Sequence, residues 1–240
     1  MPAELYNRAM NFCTLQAPNP GPLTLEGTNT YVIGGTVVDP GSDHQKHLEN
    51  ILSVAGHVDR IVLTHRHPDH AAGAGRLSEL SGASVLAFGA GLSDGDHVGE
   101  LVAVHTPGHA PDHLCFWHPG SRTLLSGDLI AGKGSILIAP PEGDLQVYVD
   151  SLERVRALAP SRILPGHGPE VQDAKAKIEE YLAHRREREA RVVAALGSGA
   201  SSLKEIVEAA YADVPLLKRR YAELSAQAHL EKLGHRISQD

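Results

Sequence analysis

Four short segments concentrate the residues that could do chemistry. They are Thr64-His65-Arg66-His67-Pro68-Asp69-His70, Thr106-Pro107-Gly108-His109, Ser126-Gly127-Asp128 and Pro165-Gly166-His167-Gly168. Neutral imidazole is the commonest metal ligand and the usual proton shuttle near pH 7, and the chain carries 15 His against 3 Phe and 1 Trp. His65 and His67 lie two residues apart, so from an extended strand end both point the same way and can hold one ion. Asp69 and His70, beyond the turn at Pro68, can face a second. Nitrogen and oxygen donors in this mixture suit Zn²⁺, with Mn²⁺, Fe²⁺ or Co²⁺ also accommodated.

Ligands of this kind need a rigid scaffold that delivers them to one rim. Up to residue 171 the sequence reads as short β-branched runs ended by turn residues: TNTYVIGG, TVVDPGSD, RIVLTH, ASVLAF, LVAVHTPG, HLCFWHPG, RTLLSGD and RILPGHG. Each of the four segments sits where one of these runs leaves the sheet. Between the runs, HLENILSVAG, HAAGAGRLSELSG and DLQVYVDSLERVRALAP place apolar residues three and four apart, as helices do. An α/β layered domain over 1–171 follows. From 172 to 240 the pattern is helical in three pieces, 173–197, 201–214 and 215–234. Ser201 or Ser202 is expected to cap the second piece, Pro215 to start the third, and Gly197 and Gly234 to end helices. Three helices and the short tail HRISQ suggest a helix-turn-helix or winged-helix module.

Charge divides at the same place. Residues 1–171 carry 10 Lys/Arg against 18 Asp/Glu, a formal −8, while residues 172–240 carry 12 against 11, or +1. No run of 18 apolar residues and no basic, apolar leader occurs, so a membrane partner is not expected and the sequence reads as cytoplasmic. Cys13 and Cys115 are too few for a disulfide framework, and Cys115 in HLCFW reads as a buried thiol.

The order His-x-His-x-Asp-His, TPGH, SGD, PGHG over residues 60–170 resembles the metallo-β-lactamase superfamily. That resemblance implies an αββα sandwich, two mixed sheets face to face with helices outside. It also implies two divalent metal ions, with Zn²⁺ expected and Mn²⁺ or Fe²⁺ as alternatives. His65, His67 and His109 would hold one ion, Asp69, His70 and His167 the other, and Asp128 would bridge them. Within the superfamily the chain is similar to the β-lactamase-like protein 2 group, whose animal member is a single-strand endoribonuclease. Asn19-Pro20, Thr24–Tyr31, Gly132-Lys133-Gly134, His184-Arg185, Arg188-Glu189 and the terminal HLEKLG carry this similarity, with a winged-helix C-terminal domain implied. Residues 135–145, SILIAPPEGDL, depart from the group as a proline-containing insertion beside the site.

The expected chemistry is hydrolysis by a hydroxide bridging two metals, since a catalytic zinc lowers the pKa of its water from 15.7 to about 7. Asp69 is the candidate to orient that hydroxide and shuttle its proton. His113, four residues after His109, either orients a ligand or protonates the leaving group. The first expected substrate is single-stranded RNA, making the protein a phosphodiesterase or endoribonuclease. A small thioester, ester, lactone or lactam is the alternative, with residues 135–145 as a lid. A non-catalytic nucleic-acid-binding protein is the third reading. The formal charge of −7 weighs against RNA, because nucleic-acid affinity comes largely from Lys and Arg neutralising phosphates. Lys133 could meet an anionic substrate. Arg185, Arg186, Arg188 and Arg191 interleave with Glu187 and Glu189 as a solvated helix face, an RNA track or an inter-domain contact. The nine other histidines, His184 and His229 among them, are assigned surface or packing roles.

Overall fold

A computed structural model describes residues 12–235. The first sheet contains β1 (Phe12–Gln16), β2 (Asn29–Ile33), β3 (Thr36–Val38), β4 (Arg60–Val62), β5 (Ser84–Phe88) and β6 (Gly91–Leu92), in that spatial order. The first three strands are antiparallel, and β3 through β6 are parallel. The second sheet runs β11 (Arg162–Pro165), β10 (Thr123–Gly127), β9 (Leu114–His118), β8 (Leu101–His105) and β7 (His97–Val98). Only its β10–β11 pair is parallel.

Alternation of side chains along each strand explains how these sheets stack. Val38, Val62 and Tyr31 of the first sheet meet Ala103, Phe116, Leu125 and Leu164 of the second in a core between the sheets. Their chain neighbours Val37, Ile61 and Val32 face the other way and pack on Leu48 and Ile51 of α1 (Gln45–Ala55) and Leu77 of α3 (Ala74–Ser81), with the single turn α2 (Pro68–Ala71) between these helices in the chain. On the far side, Val104, Cys115, Leu124 and Ile163 pack on Tyr148 and Leu152 of α4 (Leu145–Ala157) and on Ile178 and Tyr181 of α5 (Ala174–Gly197). Helix, sheet, sheet, helix is the resulting order, the expected sandwich. Each fully buried Leu or Ile in these layers contributes about 1.5–3 kcal/mol.

Helix α5 links two cores. Its first half belongs to the sandwich, while Val192 and Ala195 pack with Ile206 and Val207 of α6 (Leu203–Ala210) and with Ala222, Ala226 and Leu230 of α7 (Arg219–Lys232). Ser202 caps α6 in a reciprocal capping box with Glu205, one of the two expected caps. Gly197 is the last helical residue of α5 rather than the residue after it, and Pro215 precedes a 3₁₀ turn at 216–218, so α7 starts four residues later than its pattern suggests. Gly234, at φ 70°, follows the C-cap of α7 as expected. Among the described residues from 172 to 235 the named elements are the helices α5, α6 and α7 and a 3₁₀ turn. Of the tail HRISQ, only His235 is within the described residues. No described helix is long and apolar enough to cross a membrane.

Candidate metal centre

The carboxyl ends of β3, β4, β8, β10 and β11 open on one rim, and each delivers a polar side chain there. Gly127, at φ 46°, ends β10 because a Cβ would sit 2.7 Å from Thr64 and 2.8 Å from the His113 ring. The backbone can then turn Asp128 inward. Gly108, at φ 125°, lets α4 approach the TPGH loop, since a Cβ would lie 2.3 Å from the Tyr148 backbone. Ser151 of α4 donates to the Pro107 carbonyl at 2.7 Å and fixes that loop.

Two groups of ligand atoms result. His65, His67 and His109 form one, and Asp69, His70, Asp128 and His167 form the other. The structure therefore brings together all seven residues expected from the sequence. Asp128 spans both groups: one carboxylate oxygen lies 3.5 Å from His109 Nε2, while the other lies 3.4 Å from His70 Nε2 and 3.3 Å from His167 Nε2. Asp69 adds an oxygen 3.2 Å from His167 Nε2.

Hydrogen bonds behind the rings set their tautomers. The buried Asp39 accepts from the Thr64 hydroxyl at 2.7 Å and from His70 Nδ1 at 2.8 Å. With its proton committed to Asp39, Thr64 Oγ1 accepts from His65 Nδ1 at 3.0 Å. His109 Nδ1 donates to the Leu137 carbonyl at 3.0 Å, and His67 Nε2 donates to Glu142 at 3.2 Å. The inward nitrogens of His65, His67 and His109 thus carry lone pairs, and that of His70 would carry one once an ion displaced its second proton. His67 Nδ1 lies 2.9 Å from His65 Nε2 and 3.0 Å from His109 Nε2, with no proton available to bridge them. Three lone pairs converging at such distances fit a cation.

Charge distinguishes the two groups. Burial, reinforced by His70, holds His65 well below the ordinary imidazole pKa, and burial lowers His109 as well. Around His70 burial also opposes a charge, but Asp128 and Asp39 outweigh it and hold the ring well above its usual value. His167 is likewise pushed up to about 9 against burial by hydrogen bonds to Asp128 and Asp69. The carboxylates move the other way: burial would raise Asp128 and Asp69, yet His70 and His167 draw both down. This acid-rich half draws positive charge to its middle, and a divalent ion held by Asp69, His70, Asp128 and His167 would supply it in place of the protons.

His113 stands behind the site. It is fully buried, its Nε2 accepts the Asp128 backbone N–H at 3.0 Å, and its Nδ1 donates to Thr106 at 2.9 Å. Burial, and next His109, lowers its pKa to about 3. With both nitrogens occupied, His113 positions Asp128 and has no proton to offer a leaving group. Several supporting residues escape sequence reasoning. Asp39 is the foremost, although TVVDPG ends on an acid at a strand end just as SGD does. Asn19, Thr28, Asn29 and Tyr31 stand out in the sequence only as carriers of the family similarity; in the fold Thr28 and Asn19 hold the Asp69 carbonyl, and Asn29 and Tyr31 donate to the Pro165 carbonyl ahead of His167. Residues 135–145 are a wall rather than a lid: Ile136 and Ile138 are buried in the core, and Leu137 and Glu142 brace His109 and His67.

The metallo-beta-lactamase superfamily profile matches residues 23–93 and 84–167. A beta-lactamase-like protein 2 homolog of Caenorhabditis elegans is 32% identical, over 90% of this chain and 81% of that protein. The chain belongs to the metallo-beta-lactamase superfamily. An atrochrysone carboxyl ACP thioesterase of Aspergillus fumigatus is 28% identical, over 82% of this chain and 72% of that protein. Among solved structures, a metallo-beta-lactamase family protein from Thermus thermophilus superposes with a TM-score of 0.78 at 24% identity, covering 93% of each chain. Metallo-beta-lactamase superfamily proteins are in general metal-dependent hydrolases, and this chain has the donor set for a pair of divalent ions. Its nitrogen and oxygen donors accommodate zinc, manganese and iron alike.

A cavity of about 350 Å³ opens from His109 and Asp128 toward the C-terminal helices. Leu25, Ile136 and Leu137 line it near the rim, and Arg185, Tyr211 and His229 line it on the helical side.

Proposed function

We propose that the protein hydrolyses a small acyl substrate, an ester or thioester, at the seven-residue centre. The cavity carries this reading. It has one polar end at His109 and Asp128, an apolar stretch at Leu25, Ile136 and Leu137, and a volume at the low end of small-molecule sites. The similarity to a protein named as an ACP thioesterase supports it. Two bound divalent ions would activate water near neutral pH and polarise the acyl carbonyl, with Zn²⁺ as our first choice of metal. Asp69, partly open to solvent and depressed in pKa, is the acceptor for the proton of the attacking water. Asp128, held by His113, keeps the two ligand groups in register. Asp39 and Thr64 prevent the rings of His70 and His65 from turning.

Single-stranded RNA remains a second reading, favoured by Lys133 and Lys218, which are exposed at the cavity and form no ion pair among the described residues. Few aromatic side chains are available for base stacking, since the chain has 3 Phe, 1 Trp and 6 Tyr, and Tyr31, Tyr148, Tyr181 and Tyr211 are buried. Aliphatic thioesters and labelled single-stranded RNA, each incubated with wild-type protein and with His67→Ala, distinguish the readings. Thioester turnover that vanishes in the variant is expected. RNA cleavage that vanishes in the variant, with thioesters intact, would replace the acyl reading by the nuclease one.

A further inference from the structure

We infer that the helical wall of the cavity is a binding subsite for an oxyanion, a carboxylate or phosphate carried by the substrate, with Arg185 supplying charge and Tyr211 and His184 supplying hydrogen bonds. It rests on the acyl-hydrolase reading only for the molecule that brings the oxyanion.

Arg185 is 5% exposed. One arm of its guanidinium donates to the Ile136 carbonyl, and its carbon lies 4.9 Å over the Tyr148 ring. No carboxylate comes within ion-pair distance of it among the described residues, and its Nε has no hydrogen-bond partner. An isolated buried guanidinium is costly unless something pairs with it. The acids of this wall are already taken. Asp213 binds Arg188 at 2.6 Å and Arg191 at 3.1 Å, and Glu189 pairs with Lys232. Arg185 is left with an uncompensated charge facing the cavity.

Its neighbours share that condition. The Tyr211 hydroxyl and His184 Nδ1 are buried, belong to side chains lining the same cavity, and have no partner. Arg188 stacks 4.8 Å over the Tyr211 ring and is itself satisfied by Asp213. The His229 ring, 1% exposed, is kept neutral by burial and then by Arg185, with its pKa lowered to about 3, so it adds no charge to the wall. Glu189, 3.8 Å from His229, is too distant to satisfy it by a hydrogen bond. A guanidinium, a phenol and an imidazole offer donors where an anion offers only lone pairs. His109 and Asp128 end the same cavity, so one molecule reaches both the oxyanion subsite and the reacting centre.

Calorimetric titration of the intact protein with inorganic phosphate and with succinate tests this. Saturable binding of either probe is expected, about 10- to 100-fold weaker in Arg185→Met and about 2- to 10-fold weaker in Tyr211→Phe. The probe with the lower Kd says which oxyanion the subsite is built for. Tyr211→Phe removes a hydroxyl that bonds to nothing, so it tests the inference even if Arg185→Met fails to fold. No binding of either probe, or affinities unchanged in both variants, would overturn the subsite. Anion binding that depends on Arg185 in a protein that hydrolyses no acyl substrate would uphold the subsite and remove the acyl reading.

Discussion

The rim and the helical wall of one cavity treat their polar groups in opposite ways. At the rim nearly every ligand is held from behind: His65 by Thr64, His70 by Asp39, His109 by the Leu137 carbonyl, His67 by Glu142 and Asp128 by His113. On the wall, Arg185, Tyr211 and His184 bury polar atoms with no partner at all. The rim is largely braced before anything binds, with Asp128 Oδ1 and His167 Nδ1 its unpartnered atoms, and it holds its geometry for chemistry. The wall is unfinished, and the substrate has to complete it. Chemistry should therefore fail when the rim is altered, whereas choice of substrate should change when the wall is altered.

The largest effect should come from the rim itself. His67→Ala is expected to lower kcat/KM by about 1,000-fold or more and to reduce bound metal, as kinetics and elemental analysis would show. A variant with unaltered activity would mean that the lone pairs facing His67 hold nothing. Directly behind the ligands, Asp39→Asn should weaken metal binding about 10- to 100-fold, because His70 loses the acceptor that fixes its tautomer. Competition with a chelator measures it, and affinity equal to wild type would show that the ring needs no such support. Next, Arg185→Met should raise KM about 10- to 100-fold for an acyl substrate ending in a carboxylate while leaving bound metal unchanged. If metal were lost as well, rim and wall would not be separable.

The smallest effect concerns stability. His229 has its pKa lowered from 6.5 to about 3 by burial and the nearby Arg185. Below pH 6.5 the unfolded chain binds a proton there that the folded chain refuses, so stability falls as pH drops from 6.5 toward about 3. In His229→Gln that part of the loss should disappear, giving a shallower decline of Tm across this window. An identical decline would show that other groups account for it.

The rim is legible in the sequence because its ligands are chain neighbours or stand beside Pro-Gly and Ser-Gly turns, where residue type and spacing act directly. Eight of the strands follow from β-branched runs. The two-residue β6 and β7 and the edge strand β1 do not, since their pairing is decided by neighbours rather than by their own composition. Asp39 is hidden because its partners, Thr64 and His70, are 25 and 31 residues away and only folding joins them. The wall is hidden for a similar reason. Arg188 and Arg191 are indeed paired on a charged face, but Arg185, three residues before Arg188, turns inward against Tyr148. Periodicity alone assigns His184 and His229 to packing, and it says nothing of a cavity formed between α5, α7 and the 135–145 segment.

The most direct test of the central claim is the rate of acyl-thioester hydrolysis by one preparation, followed as its metal is removed with a chelator and restored. The two ligand groups predict a rate that rises with bound divalent ion and saturates at two per chain. Turnover that survives complete removal of metal, or that is absent with both groups filled, would contradict it.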